Sequence, residues 1–190
     1  MTDFLTVVSG LPRSGTSMMM AALQAGGLPL VVDGVRAADQ HNPRGYFEHE
    51  GVKELQNGGQ WLTQHKGKAI KILFHLFRWV PEPLPVKVIL MLRQLDEVVQ
   101  SQDLMLSGKA KGDTDWAHLF KDQLEKLRSL LKQREHTQVL EVQYFRVLEE
   151  PITEFQRIAE FLQQPLDVAK MATTVEPALY RNRCDGHRLF

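Results

Sequence analysis

The stretch that decides the fold reads Gly10-Leu11-Pro12-Arg13-Ser14-Gly15-Thr16-Ser17. It follows a short β-rich run at residues 4–8 (FLTVV) and leads into the helix-favouring run from Thr16 to Ala25, which two glycines close at 26–27. Such runs favour a strand and a helix respectively, and glycine is common where a helix ends. The sequence therefore predicts a strand, a loop and a helix in that order.

The two outer glycines of this loop, Gly10 and Gly15, have the Gly-x-x-x-x-Gly spacing of a phosphate-binding loop. Loop N–H groups and a helix N-terminus attract an anion. A nucleoside-triphosphate loop continues with Lys, and then with Ser or Thr for magnesium. Here Thr16 takes the Lys position, and a cation stands inside the loop at Arg13. We expect a loop for a phosphate-like group without the usual triphosphate and metal apparatus.

Strand and helix patterns alternate along the rest of the chain. Buried strands are predicted at 69–74, 86–92 and 137–142, and amphipathic helices at 116–131 and from Pro151 to about Gln163. Asp96 and Glu97 suit the first turn of a helix after the second of these strands. The alternation predicts a single α/β domain over residues 1–190, a three-layer sandwich with a central parallel sheet and a P-loop-like strand-loop-helix.

Composition excludes several classes of protein. The chain has 190 residues, 43% hydrophobic and 24% charged, which is typical of a folded globular protein and not of a disordered one. Because 23 Lys and Arg balance 23 Asp and Glu, we expect no nucleic-acid or membrane partner. No run of 18 apolar residues is present, and because Asp3 is acidic where a signal peptide would be basic, we expect no signal peptide. Cys184 is the single cysteine, so a disulfide within the chain is excluded, and we expect a cytoplasmic protein.

Charge is uneven between His65 and Arg93. Within this stretch only Glu82 opposes six basic residues, namely Lys66, Lys68, Lys71, Arg78, Lys87 and Arg93. One interpretation is a solvated face. The other is an electropositive cleft for a polyanionic ligand.

The chain resembles the sulfotransferases that use 3′-phosphoadenosine 5′-phosphosulfate (PAPS). Their first signature is similar to residues 12–17 (PRSGTS), and their second, an Arg at a strand end with a Ser eight residues on, is similar to Arg93 and Ser101. Their third signature is a strand that leads into Tyr, a short acidic turn, Pro and a helix. Residues 139–162 are similar to it, with Tyr144 at the Tyr position. Residues 42–48 (NPRGYFE) also resemble a segment of bacterial-type members.

The resemblance implies how a donor would be held. Arg13 would stabilise charge on the leaving phosphate, and Arg93 with Ser101 would bind the 3′-phosphate. Tyr144 would border the adenine. The 5′-phosphosulfate would take backbone and hydroxyl donors from Ser14, Gly15, Thr16 and Ser17. PAPS would be the donor and the bisphosphate PAP the product, with no metal required, and a small molecule or glycan would supply the accepting hydroxyl or amine.

A general base must take the acceptor's proton. Glu48 is the first choice because it closes a segment from which related enzymes draw a carboxylate, and His49, Glu50, His65 and His75 stay open. The chain departs from the family at Leu95, where many relatives have Pro, and at Phe145, where they have Glu. It also lacks the C-terminal Arg-Lys-Gly segment of larger members, for which Arg181 and Arg183 are the candidates to substitute.

Two other functions compete with this interpretation. A P-loop kinase or other phosphotransferase is favoured by the loop and disfavoured by Thr16 and by the lack of a strand-end Asp for magnesium. An adenine-nucleotide-binding module without catalysis would keep the donor site and lack a working base. The sequence leaves the acceptor and the oligomeric state open.

Overall fold

The computed structural model describes residues 3–39, 42, 44–106 and 116–176. Its four strands are β1 (Leu5–Gly10), β2 (Ala69–Lys71), β3 (Val86–Leu92) and β4 (Thr137–Gln143). Its α-helices are α1 (Thr16–Ala25), α2 (Leu95–Leu106), α3 (Trp116–Gln133), α4 (Tyr144–Glu149), α5 (Pro151–Leu162) and α6 (Val168–Thr173). Short 3₁₀ helices lie at Glu50–Val52, Leu55–Asn57, Gln60–His65 and Phe77–Trp79.

The strands form one parallel sheet in the order β2-β1-β3-β4. The chain leaves β1 towards β2 on one side, and it continues from β3 to β4 on the other. The order therefore reverses between β1 and β3, where Gly10 lies level with Met91. Parallel α/β sheets bind ligands outside the carboxyl ends of their strands at such a reversal. The loop at residues 11–15 begins at this point.

Side chains of the sheet alternate between two apolar layers. The layer formed with α3 and the 3₁₀ helices contains Leu5, Val7, Val88, Leu90, Leu124, Leu127 and Leu131. The layer formed with α1, α4, α5 and α6 contains Val8, Ile89, Met91, Met19, Val147, Phe155 and Met171. The central strands are buried on both faces, as continuous apolar runs predict. The predicted three-layer α/β sandwich with a parallel sheet is confirmed.

Element bounds match the pattern best where the apolar run is long. The predicted helix from Thr16 to Ala25 and the strand at 86–92 are confirmed. The strand predicted at 69–74 ends at Lys71, and the predicted acidic turn after Tyr144 is instead the helix α4. That correction has a local cause, because residues 144–149 (YFRVLE) bury Tyr144 and Val147 on one side of a helical turn and a half.

Several sequence predictions lie outside the described residues, namely Pro43, Arg181, Arg183 and Cys184. Within the described ranges, no helix combines the length and the apolar character that crossing a bilayer requires. The extent of the domain over residues 1–190 stays a prediction.

Candidate functional site

The loop between β1 and α1 is packed tightly against β3 and α4. Gly10 has φ 150° and Gly15 has φ 96°. A Cβ on Gly15 would lie 2.5 Å from Tyr144 Cδ2, and one on Gly10 would lie 2.7 Å from the Met91 carbonyl oxygen. Ser14 Oγ donates to the Leu11 carbonyl at 2.8 Å. Only glycine fits these two positions, so the spacing of the loop follows from how closely the chain approaches its neighbours.

Two arginines meet at this loop although 80 residues separate them. Arg93 Nη1 donates to the Arg13 carbonyl oxygen at 3.1 Å, and Arg13 Nε donates to Ser101 Oγ at 3.0 Å. Burial lowers the pKa of Arg13, and the nearby charge of Arg93 lowers it further. The structure thus brings together Arg13, Arg93 and Ser101, three of the predicted donor-binding residues.

Tyr144 lies beneath the same loop, between Gly15 and Arg93. It is 6% exposed, and the Arg93 guanidinium carbon lies 4.7 Å from the centre of its ring. Burial raises the pKa of the Tyr144 phenol, while Arg93 acts in the opposite direction. The ring therefore packs against two parts of the site, the loop at Gly15 and the guanidinium of Arg93.

The predicted base Glu48 forms an ion pair with Lys71, the last residue of β2. Lys71 Nζ lies 3.0 Å from Glu48 Oε1, and the lysine side chain is only 4% exposed. The same nitrogen donates to Ser17 Oγ at 3.3 Å and to the Tyr46 carbonyl oxygen. Three acceptors match the three N–H donors of an ammonium, which explains how a lysine is tolerated in this buried place.

Arg36 is a second cation on Glu48. Its Nη1 lies 3.1 Å from both carboxylate oxygens, and its guanidinium carbon lies 3.3 Å from the centre of the Tyr46 ring. Burial alone would raise the pKa of Glu48, but Lys71 and Arg36 outweigh burial and hold this pKa below its ordinary value. Arg44, four residues before Glu48 in the sequence, pairs with Glu176.

Ser17 links the first turn of α1 to the segment that carries Glu48. Its hydroxyl accepts from Asn42 Nδ2 at 2.9 Å and from Lys71 Nζ, and it donates to the Tyr46 carbonyl oxygen at 3.3 Å. Both acceptor positions and the single donor of a hydroxyl are therefore engaged. The first turn of α1 and the Glu48 carboxylate therefore belong to one polar cluster, joined by Ser17 and Lys71.

The other predicted bases have different surroundings. His49 stacks on Trp61 at 4.9 Å between ring centres, and His65 meets the edge of the same ring at 5.5 Å. Glu50 pairs with Lys53 at 2.7 Å. His75 follows Phe74, whose N–H donates to the carbonyl oxygen of Gly10, just before the loop, at 3.4 Å. Burial lowers the pKa of His75, which keeps it a candidate base after Glu48.

The basic stretch between residues 65 and 93 does not form one cleft. Lys71 and Arg93 stand at the carboxyl ends of β2 and β3. Lys87 lies near the opposite end of β3 and donates to the Phe161 carbonyl oxygen at 2.7 Å, and Lys66 pairs with Asp3. Of the six cations, Lys71 and Arg93 therefore lie at the same edge of the sheet as the loop, whereas Lys66 and Lys87 have partners elsewhere.

Comparison of the sequence with family models and with curated proteins gives no match. Among solved structures, the chain is similar to the sulfotransferase domain of the olefin synthase of Synechococcus PCC 7002, with 16% identity and TM-score 0.54, over 96% of this chain and 89% of that one. It is also similar to sulfotransferase STF9 of Mycobacterium avium, with 13% identity and TM-score 0.55, over 91% and 68%. A sugar kinase of Janibacter sp. HTCC2649 matches at 15% identity and TM-score 0.46, over 88% and 97%.

At these identities the first two likenesses show the fold, which is a sulfotransferase-like α/β fold. The structure adds contacts with Glu48 or Ser17 that the sequence interpretation did not assign, made by Lys71, Arg36 and Asn42. Lys71 had a usable signal, because it ends a strand parallel to the one that leads into the loop. Arg36 and Asn42 had none, because they lie in an irregular segment whose path no periodicity predicts.

Proposed function

We propose that this protein is a sulfotransferase that moves a sulfuryl group from PAPS to the hydroxyl or amine of a small-molecule or glycan acceptor. The observation that carries the proposal is the contact between the two arginines, Arg93 Nη1 to the Arg13 carbonyl, at the reversal of the strand order. PAPS has anionic groups at its 3′ and 5′ positions. Two neighbouring arginines match such a donor better than the single anion of a monophosphate.

The residues present fit the donor. Loop N–H groups and the N-terminus of α1 favour the 5′-phosphosulfate, and Arg13 supplies the cation beside it. Arg93 and Ser101 serve the 3′-phosphate, for which a planar guanidinium is well suited. The lack of a Cβ at Gly10 and Gly15 allows the loop backbone to lie in this place at all.

In the transfer step the acceptor oxygen or nitrogen attacks sulfur, and the bond between sulfur and the bridging oxygen of the 5′-phosphate breaks. The electron pair of that bond stays on the phosphate oxygen, where Arg13 stabilises the growing charge. The acceptor's proton goes to Glu48, whose lowered pKa keeps it ionised at neutral pH. The products are the sulfated acceptor and PAP.

Ser17 supports donor binding without a metal. In a nucleoside-triphosphate loop the residue at this position coordinates magnesium. Here the hydroxyl already has three hydrogen-bond partners, one of them the Lys71 ammonium, and a positive charge at that distance opposes a second cation. This contact favours sulfuryl transfer over the phosphotransferase alternative.

The test is thermal unfolding with adenosine 3′,5′-bisphosphate in the presence of EDTA. We expect a rise in melting temperature, because a ligand that binds only the folded state stabilises it. Arg13→Ala should abolish the rise, whereas Arg78→Ala, at an exposed arginine of the same chain, should keep it. A rise in melting temperature with ATP and magnesium, and no rise with the bisphosphate, would contradict the proposal.

A binding module without catalysis would pass that test. Transfer of labelled sulfate from PAPS to members of an acceptor library separates the two, because a module binds the donor and transfers nothing. Tight bisphosphate binding with no transfer to any hydroxyl or amine would favour the module.

A further inference from the structure

Glu97 is a buried carboxylate that the transfer step does not use. It lies in the first turn of α2 and is 2% exposed. Its Oε2 accepts from Arg93 Nε at 2.8 Å, and the Arg93 side chain is 9% exposed. Acidic residues are common in the first turn of a helix, where they favour the helix dipole, but that role needs neither burial nor an arginine. Asp96, the exposed neighbour of Glu97, already places a negative charge in this first turn.

The guanidinium that Glu97 holds also holds the loop. Nε of Arg93 is engaged by Glu97, and Nη1 is engaged by the Arg13 carbonyl oxygen. Contacts at two nitrogens of a planar group fix its plane as well as its position. The ring of Tyr144, 4.7 Å from the guanidinium carbon, adds a third constraint.

The backbone that Arg93 contacts is in an uncommon conformation. Arg13 has φ 66°, in the left-handed region that residues with a side chain seldom adopt. Such a conformation persists when neighbouring contacts determine it. The hydrogen bond from Arg93 to the Arg13 carbonyl oxygen is one of these contacts. The hydrogen bond from Arg13 Nε to Ser101 is another, and Ser101 lies one turn beyond Glu97 on α2.

We infer that Glu97 is a positioning residue for the donor site: it orients Arg93, and through the Arg13 carbonyl it sets the conformation of the phosphate loop. The contacts form a chain from Glu97 to Arg93 to the Arg13 backbone. The consequence for donor binding rests on the proposed function. The consequence for the loop does not, because it concerns the protein without ligand.

The first experiment measures bisphosphate affinity by calorimetry. Glu97→Gln keeps the shape of the side chain and removes its charge, so the hydrogen bond from Arg93 loses its ionised acceptor, and we expect about tenfold weaker binding. Arg93→Ala should lose more. The double variant should bind no more weakly than Arg93→Ala, because the inferred effect of Glu97 on the donor site passes through Arg93. Independent losses that multiply in the double variant would overturn the inference.

Two further variants separate positioning from general stability. Glu154→Gln is the matched control, since Glu154 is also buried, 3% exposed, and pairs with Arg157 on α5. It should unfold more easily and bind the bisphosphate as the wild type does. Arg93→Lys keeps the charge but cannot contact Glu97 and the loop carbonyl as a fork, so it should bind nearly as weakly as Arg93→Ala. Wild-type affinity in Arg93→Lys would overturn the inference even if Glu97→Gln failed to fold.

The second experiment measures hydrogen exchange of the loop amides, at residues 10, 11 and 13–17, in the protein without ligand. Exchange should be faster in Glu97→Gln and unchanged in Glu154→Gln, because only the former loosens the contact that holds the loop. Faster exchange in a protein that does not bind the bisphosphate would support the positioning role and contradict the proposed donor. Unchanged exchange in a folded Glu97→Gln variant would overturn the inference.

Discussion

At the scale of single residues, Glu48 combines two requirements that oppose each other. Two cations keep its carboxylate ionised, and the same cations make it a weaker base. Because its pKa is lowered in the folded protein, its contribution to stability is present above the unfolded pKa and is lost as the pH falls through the folded one. The carboxylate therefore stays available as a proton acceptor throughout the neutral range.

Glu48→Gln tests the role of this residue as the base. It keeps nearly the same shape, so we expect unchanged affinity for the bisphosphate and turnover slower by about 10²–10⁴-fold. In the wild type the acidic limb of the rate profile should lie below pH 4.5, the ordinary pKa of the group, and the variant should lack that limb.

Steady-state rates with an acceptor in hand, measured across pH, check both statements. A variant with wild-type turnover would transfer the role to His75, the candidate whose neighbour contacts the loop. If the variant loses stability and donor affinity together, Glu48 is structural, and its contacts with Arg36 and Lys71 are the reason.

At the scale of elements, the loop and its helix depend on two kinds of glycine. Gly15 and Gly27 share the same φ of 96° and differ in their surroundings. A Cβ on Gly15 would meet the Tyr144 ring at 2.5 Å, whereas one on Gly27 would meet nothing within 4 Å.

We therefore expect Gly27→Ala to cost about 1 kcal/mol of unfolding free energy through backbone strain alone. Gly15→Ala should cost about 1–3 kcal/mol more, because overpacking adds to the same strain. Urea denaturation of the two variants measures this difference. Equal losses would mean that the loop can move away from Tyr144.

How much of the elements could be predicted depended on hydrophobic periodicity. The strand β3 is buried on both faces, which leaves a continuous apolar run in the sequence. The helix α3 is buried on one face, which leaves an apolar stripe at three- and four-residue spacing. The 3₁₀ helices Glu50–Val52, Leu55–Asn57 and Phe77–Trp79 left no such pattern, since three-residue turns are too short to show a period. The strand β2 was overestimated at its carboxyl end, because the apolar run continues through Ile72 although the strand itself ends at Lys71.

At the scale of the whole molecule, the apolar layer that stabilises the fold and the candidate site lie in different parts of the structure. The layer formed with α3 contains Leu127, which is 3% exposed, while the loop lies at the carboxyl edge of the strands. Leu127→Ala should cost about 2–5 kcal/mol of unfolding free energy. Leu119→Ala, at a residue of the same helix that is 37% exposed, should change it by less than about 0.5 kcal/mol.

Both variants should bind the bisphosphate as the wild type does at temperatures where they are folded. Calorimetry at low temperature and thermal unfolding supply the two measurements. A loss of affinity in Leu127→Ala would show that the α3 layer reaches the site, and the separation proposed here would be wrong.

The site could be predicted in part for a related reason. Arg13, Arg93 and Ser101 were expected from the resemblance of their motifs to the sulfotransferase signatures, and the structure brings them within hydrogen-bond distance of one another or of the loop. Glu97 was interpreted through the helix dipole alone. Its contact with Arg93 follows the i, i+4 rule for helices, but here the arginine lies just before the helix and both groups are buried, which the sequence pattern does not reveal.

Arg13 has a consequence for protein engineering. Its φ of 66° would suit glycine better than any residue with a side chain, and replacement by glycine at such a position relieves about 1–2 kcal/mol of backbone strain. The lost hydrogen bond to Ser101 and the greater entropy of glycine in the unfolded chain offset much of this gain, so a selection for expression or heat resistance alone would not retain Arg13. The same replacement removes the cation beside the leaving group in the proposed reaction, so a library of this chain needs a donor-binding screen in parallel with any screen for robustness.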